Sequence, residues 1–320
     1  MFRPEITVCD CTIRDGGLMN NSNFSLETVR RVYECMCASG IQIVELGYRN
    51  SKTQFSPSEY GPWRFCDEDM LRKVVEGVEN RGTKIAVMQD AHKAVAEDVL
   101  PKEKSVVDII RIATYVKDID KAIYLSNSAI EKGYQTTINI MAVSHALERE
   151  LDEALQQLEQ ETRAIAVYIV DSFGALYSED IDYLVHKFKR YIRKSDIGIH
   201  CHNSQQLAYA NTIEAIIKEV NYLDGTLYGL GRGAGNCPLE LLIGFLKNPK
   251  FNIVPILQAI QDIILPLQKE MEWGYSIPYM IAGMLNLHPQ EAIKLMSLPA
   301  DNPDRRDFVK FYTRMVDAAG

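Results

Sequence analysis

The 320-residue chain is marked first by what it lacks. No segment gives 18 uninterrupted apolar residues, so no membrane-spanning helix is expected. No basic run interrupts a net charge of −8, which argues against nucleic acid or an anionic membrane as the main partner. The opening MFRPEITVCD lacks the apolar stretch of a signal peptide. Seven cysteines lie scattered with no CxxC pair and read as reduced thiols. These absences together predict a cytoplasmic protein. No GxGxxG follows the first apolar run, against a dinucleotide-binding open sheet. No low-complexity segment is present either. What remains is an ordinary globular composition, 47% hydrophobic and 24% charged.

Eight short apolar, β-rich runs recur along the chain: 5–9, 41–46, 84–88, 106–113, 136–143, 165–171, 197–202 and 222–228. Helical patterns separate them. In SLETVRRVYECMCASG, Ser25 is a candidate N-cap, Leu26, Val29, Val32, Tyr33 and Met36 form one apolar stripe, and Gly40 ends the helix. DEDMLRKVVEGVENRG repeats the scheme up to Gly82, and DIDKAIYLSNSAIEKG up to Gly133. Eight strand–helix units in roughly 230 residues predict a (β/α)8 TIM barrel. After residue 240 only helical patterns remain. The expected organisation is a catalytic barrel over 1–245 and a helical extension over 246–320, serving packing and self-association.

Barrel chemistry gathers at the C-terminal ends of the strands, where the βα loops meet. The polar residues there are Asp10, Arg14 and Asp15 after strand 1, and Glu45, Tyr48 and Arg49 around the end of strand 2. Ser144 and His145 follow strand 5, and Asp171 and Ser172 end strand 6. His200 and His202 lie on strand 7, and GLGRGAGN, ending at Asn236, follows strand 8. Alternation along a strand puts His200 and His202 on one face and leaves Cys201 to packing. Two imidazoles and the Asp15 carboxylate on separate strands form a set that holds a divalent cation with open positions. Two neutral imidazoles suit Mn²⁺, Zn²⁺, Fe²⁺ or Co²⁺ better than Ca²⁺; Mn²⁺ is the expected ion, Mg²⁺ is a further alternative, and Asn236 is placed to reach the metal or a water on it. Blander readings stand beside this one. RDGG reads equally as a turn with Arg14 and Asp15 as a surface pair, and GLGRGAG as a flexible loop or a phosphate cradle. Cys9, Cys11, Cys35 and Cys37 read as core residues. His92, His186 and His288 read as surface residues.

DCTIRDGG resembles the D-x-T-L-R-D-G signature of the metal-dependent carbon–carbon lyases and synthases. HCHNS matches their HxHN motif, and GLGRGAGNCPLE is close to GLGAGAGNxxLE of the 4-hydroxy-2-oxovalerate aldolases. IVELGYR and VYIVDSFGALY fit their strands 2 and 6, so the resemblance spans about residues 6–245. It implies that Asp15, His200 and His202 bind the metal and that Arg14 steadies an enolate; from their places at the strand ends, Ser172 and Asn236 are expected to serve substrate binding. The implied substrate is a 2-oxo acid. The family's tyrosine corresponds to Tyr275 in WGYSIPY. One departure stands out: where those aldolases carry an acid/base histidine soon after RDG, this chain has RDGGLMNN, with Leu18 near that place. The base is then sought at His145, Tyr275, Tyr48 or a metal-bound hydroxide. A partner dehydrogenase, which such relatives dock, ranks below self-association here. The rivals are a Claisen-type acyl-CoA synthase, whose relatives carry RDGEQ, and a non-enzymatic metal-binding or partner-binding subunit. A mononuclear iron oxygenase shares the two-histidine, one-carboxylate set but not the arginine or the barrel order.

Overall fold

Parallel strands covered by helices are buried on both faces, and so the apolar runs become strands here. In the computed structural model, which describes residues 2–319, they are β1 (Thr7–Asp10), β2 (Ile43–Tyr48), β3 (Lys84–Asp90), β4 (Ile109–Thr114), β5 (Gln135–Ile140), β6 (Ala166–Asp171), β7 (Asp196–Cys201) and β8 (Tyr222–Gly225). Every residue of β2, β4 and β6 is buried. All neighbours pair in parallel, and β8 closes on β1 with Cys9 opposite Asp224. The result is the expected (β/α)8 barrel.

Local signals set some of the helix limits. The Ser25 hydroxyl accepts from the Thr28 N–H at the start of helix Leu26–Ser39, and Gly40 leaves it at φ +72°. Gly133 plays the same part after helix Ile119–Glu131. The second helix departs from expectation: it covers only Glu68–Val75, well short of Gly82. Glu76 has already left the helical region at ψ 119°, and Gly77 turns the chain at φ +71°. β8 is also shorter than its apolar run, because beyond Gly225 the Thr226 N–H turns to the Cys237 carbonyl.

The main apolar core surrounds the barrel and continues into the tail through Ile256, Ile260, Ile263 and Ile264. A second cluster joins Tyr279, Ala282, Leu295, Phe311 and Met315 to Ala234 of the glycine-rich loop after β8. This seats the tail on the barrel mouth. A Cβ at Gly283 would lie 2.8 Å from the Ser204 side chain and 3.0 Å from the Gly174 carbonyl, so only glycine lets helix Ile277–Met284 approach so closely. Val254, Leu257 and Val309 of the tail remain exposed. No helix among the described residues is long and apolar enough to cross a membrane.

Inside the barrel, one layer is unexpectedly polar. Side chains from alternate strands share a layer in this fold. Here β2, β4, β6 and β8 supply Glu45, Arg111, Tyr168 and Asp224, all buried. The Arg111 guanidinium donates to Glu45 at 3.1 Å and Asp224 at 2.7 Å, and lies 4.6 Å from the Tyr168 ring centroid. Gly198 on β7 makes room for that ring, since a Cβ there would sit 2.6 Å from it.

Candidate active site

The metal-ligand candidates converge at the C-terminal end of the barrel. Asp15 lies in the short helix Thr12–Gly16 that follows β1. That helix is pinned by Thr12, whose hydroxyl donates to Asp10 and accepts from the Leu227 N–H. From β7 and the residue after it, His200 Nε2 stands 3.6 Å and His202 Nε2 3.9 Å from Asp15 Oδ2. The three donor atoms all fall within 4.8 Å of one another.

The surroundings orient this set. His200 Nδ1 meets Asp224 at 2.9 Å, and His202 Nδ1–H donates to the Gly235 carbonyl at 3.3 Å. Each outer nitrogen is thereby engaged and each Nε2 is turned toward Asp15, the arrangement that metal-binding histidines need. His200 Nε2 is buried without a hydrogen-bond partner, and so is Asn236 Oδ1. Buried polar atoms left unsatisfied are costly. A divalent cation among Asp15, His200 and His202 would give His200 Nε2 its partner, so the residues fit the expected metal. Burial alone would raise the Asp15 carboxyl, but Arg14 and the two histidines hold it well below the usual carboxylate range. Burial pushes His202 down to about 3, keeping its ring neutral. For His200 burial acts the same way, but Asp15 and Asp224 outweigh it and raise its affinity for a proton.

Arg14 is fixed beside this centre. Its Nη1 donates to Asp15 and its Nε to Glu45 at 2.7 Å. Glu45 also holds Arg111, and Arg111 holds Asp224, so Arg14–Glu45–Arg111–Asp224–His200 is one continuous buried chain. A second cluster of possible metal ligands, Cys9, Cys11 and Asp224, is filled by the same arginine: Arg111 Nη1 lies 3.3 Å from both sulfurs.

A cavity opens above the triad. Arg14, Asp15, His200 and His202 line its inner part, and Leu18, Tyr48, Met88 and Met141 form an apolar wall. Ser172, Phe173, Arg232 and His288 line another part. The Ser172 hydroxyl accepts from the Ala142 N–H at 2.8 Å. Asn236 is buried behind the triad and is not among the residues lining the cavity, because its Nδ2 donates to the Leu230 carbonyl and its backbone bridges His202. Gly231 makes that position possible, since a Cβ there would lie 2.1 Å from Asn236 Nδ2.

Two expected acid/base residues stand elsewhere. His145 is exposed, its Nε2 meets the Asn286 carbonyl at 2.6 Å, and its ring packs on Phe173 at 4.8 Å. Tyr275 is 58% exposed. Trp273 takes the inward position instead, with its Nε1–H on the Tyr228 carbonyl, and the Gly274 N–H holds the turn to Gly233. Neither residue lines the cavity, whereas Tyr48 does. His288, expected at the surface, lines the cavity at its exposed rim, 5.8 Å from the Phe173 ring. Glu45, Arg111, Asp224 and Arg232 had no assigned role in the sequence reading. The parity of β8 was a usable signal: Asp224 alternates with the residues facing outward, so it must point into the barrel.

Comparison with known proteins gives the chain's relatives. The HMGL-like family model matches residues 5–263. The 4-hydroxy-2-oxovalerate aldolase of Thermus thermophilus is 28% identical over 269 residues, covering 83% of this chain and 76% of its own length. The oxaloacetate decarboxylase of Mycobacterium tuberculosis is 29% identical over 243 residues, covering 76% of this chain and 70% of its own. Among solved structures, the N-terminal domain of a Bacteroides vulgatus protein superposes with a TM-score of 0.81 at 28% identity, covering 92% of this chain and 97% of that one.

Proposed function

Because the chain belongs to the HMGL-like family and is an aldolase-type lyase, we propose that it cleaves a 4-hydroxy-2-oxo acid to pyruvate and an aldehyde, or runs the reverse. The observation that carries this reading is the convergence of Asp15, His200 and His202 beside the buried guanidinium of Arg14. Those three residues would hold one divalent cation, Mn²⁺ by preference. When bound, the cation would act as a Lewis acid toward the 2-oxo acid's carbonyl.

The chain's own residues supply the rest. Arg14 stays protonated throughout and is aimed by Asp15 and Glu45. It donates to the keto oxygen as that oxygen becomes an enolate. Leu18, Met88 and Met141 keep this part of the cavity apolar, which strengthens the interaction. As the C3–C4 bond breaks, the 4-hydroxyl proton must leave and C3 must gain one. His288, the imidazole outside the triad that lines the cavity, takes the first proton at the rim. Burial raises the Tyr48 hydroxyl, which therefore keeps a proton to donate.

Deuterium exchange at the pyruvate methyl group in D₂O tests the enolate half. Wild-type protein with Mn²⁺ should exchange the methyl protons well above the metal-only background, and exchange no faster than background would sink the reading. The same preparation reads the second half with a 4-hydroxy-2-oxo acid. His288→Gln should slow its cleavage by about 100-fold or more, the scale of a lost general base. Wild-type cleavage by that variant would remove His288 from the role.

A further inference from the structure

The cavity contains two arginines, and their surroundings differ. Arg14 is neutralised by two carboxylates, Asp15 and Glu45. Arg232 has none: among the described residues its guanidinium makes one hydrogen bond, from Nη2 to the Ser172 carbonyl at 2.8 Å, and its Nε is buried without a partner. The other acid lining the cavity, Asp90, is already engaged by Lys93 at 3.4 Å and by the His92 N–H at 3.1 Å. A partly buried guanidinium with a spare N–H and no carboxylate partner is suited to receive an anion.

Its position narrows what arrives. The Arg232 N–H donates to Asp15 Oδ1 at 2.9 Å, which ties the loop to the metal-ligand set. The side chain then reaches across to the end of β6, beside Phe173 and His288 at the rim. A 2-oxo acid held at the triad and Arg14 would share one cavity with this guanidinium. Resting on the 2-oxo acid reading, we propose that Arg232 is a specificity-determining residue that binds an anionic group on the aldehyde half of the substrate. The substrate class is then a 4-hydroxy-2-oxo acid with a short aliphatic spacer and a second anion, a carboxylate or a phosphate. A planar guanidinium suits either. In the synthetic direction the pyruvate methyl loses a proton, C3 bonds to the aldehyde carbon, and the aldehyde oxygen takes up a proton. The anionic group passes through unchanged.

The test uses the full chain with Mn²⁺ and pyruvate, and compares kcat/KM for three aldehydes of matched length: neutral, carboxylated and phosphorylated. Wild type should favour an anionic aldehyde over the neutral one by about tenfold or more, the scale of one charge-assisted hydrogen bond. Which anion wins identifies the group. Arg232→Ala keeps the backbone N–H on Asp15 and should bring the ratio close to one, while Arg232→Lys should restore part of it. Equal use of all three aldehydes by wild type would overturn the proposal. An Arg232→Ala loss of the same size for all three, seen as a raised KM for pyruvate, would overturn it too, by assigning Arg232 to the 2-oxo acid's own carboxylate. Pyruvate exchange without product from any aldehyde counts against the proposal alone. Absence of exchange brings down the 2-oxo acid reading and this inference with it.

Discussion

Replacing Arg14 with lysine should lower turnover of a 4-hydroxy-2-oxo acid by about 10²–10³-fold while the protein still binds its metal. Loss of one donor at a developing oxyanion typically raises the barrier by about 2.7–4 kcal/mol. Lysine keeps the charge but not the fork. Arg14 serves two carboxylates at once, with Nε on Glu45 and Nη1 on Asp15, and it also lines the cavity. An ammonium is a single point charge and is drawn to the carboxylates first. Steady-state kinetics with Mn²⁺ held in excess measures the effect. Turnover by Arg14→Lys near the wild-type rate would make Arg14 a structural residue only.

The second large effect is expected on stability. Arg111→Leu leaves the buried carboxylates of Glu45 and Asp224 without their shared cation. Breaking a buried ion pair by removing one partner costs about 3–5 kcal/mol. For a chain of this size that corresponds to a fall in Tm of roughly 10 °C. Arg111 does not line the cavity, so any accompanying loss of activity would come through Asp224 and its hold on His200. Thermal unfolding by circular dichroism measures the shift. A midpoint unchanged within a degree or two would show that the barrel interior tolerates the two acids without their arginine.

The barrel was legible because its physics is repetitive. Runs such as IVELGY and AVYIVD are buried on both faces, so apolar length and Gly-terminated helices located eight strands in order. The triad was legible because its members share one end of the barrel, with the His200–His202 pair set by strand alternation. Arg111 was hidden for the opposite reason: within IIRIAT a single charge in a buried strand looks like an irregularity until its partners on β2 and β8 are seen. His288 lies 86 positions after His202, and nothing local marks it; only the seating of the tail on the mouth, through Gly283 against Ser204, brings it to the cavity. Tyr275 misled because the neighbouring Trp273, not the tyrosine, occupies the inward side of that turn. His145 misled because a loop histidine at the right end of a strand can still face away, and this one is taken up by Asn286.

The central claim is that Asp15, His200 and His202 hold one divalent cation, and calorimetric titration of the metal-stripped protein with Mn²⁺ addresses it most directly. Wild type should bind one Mn²⁺ per chain, and His200→Ala, which deletes the ligand whose Nε2 is now buried without a partner, should lose that binding step. Equal stoichiometry and affinity in the two proteins would contradict the account.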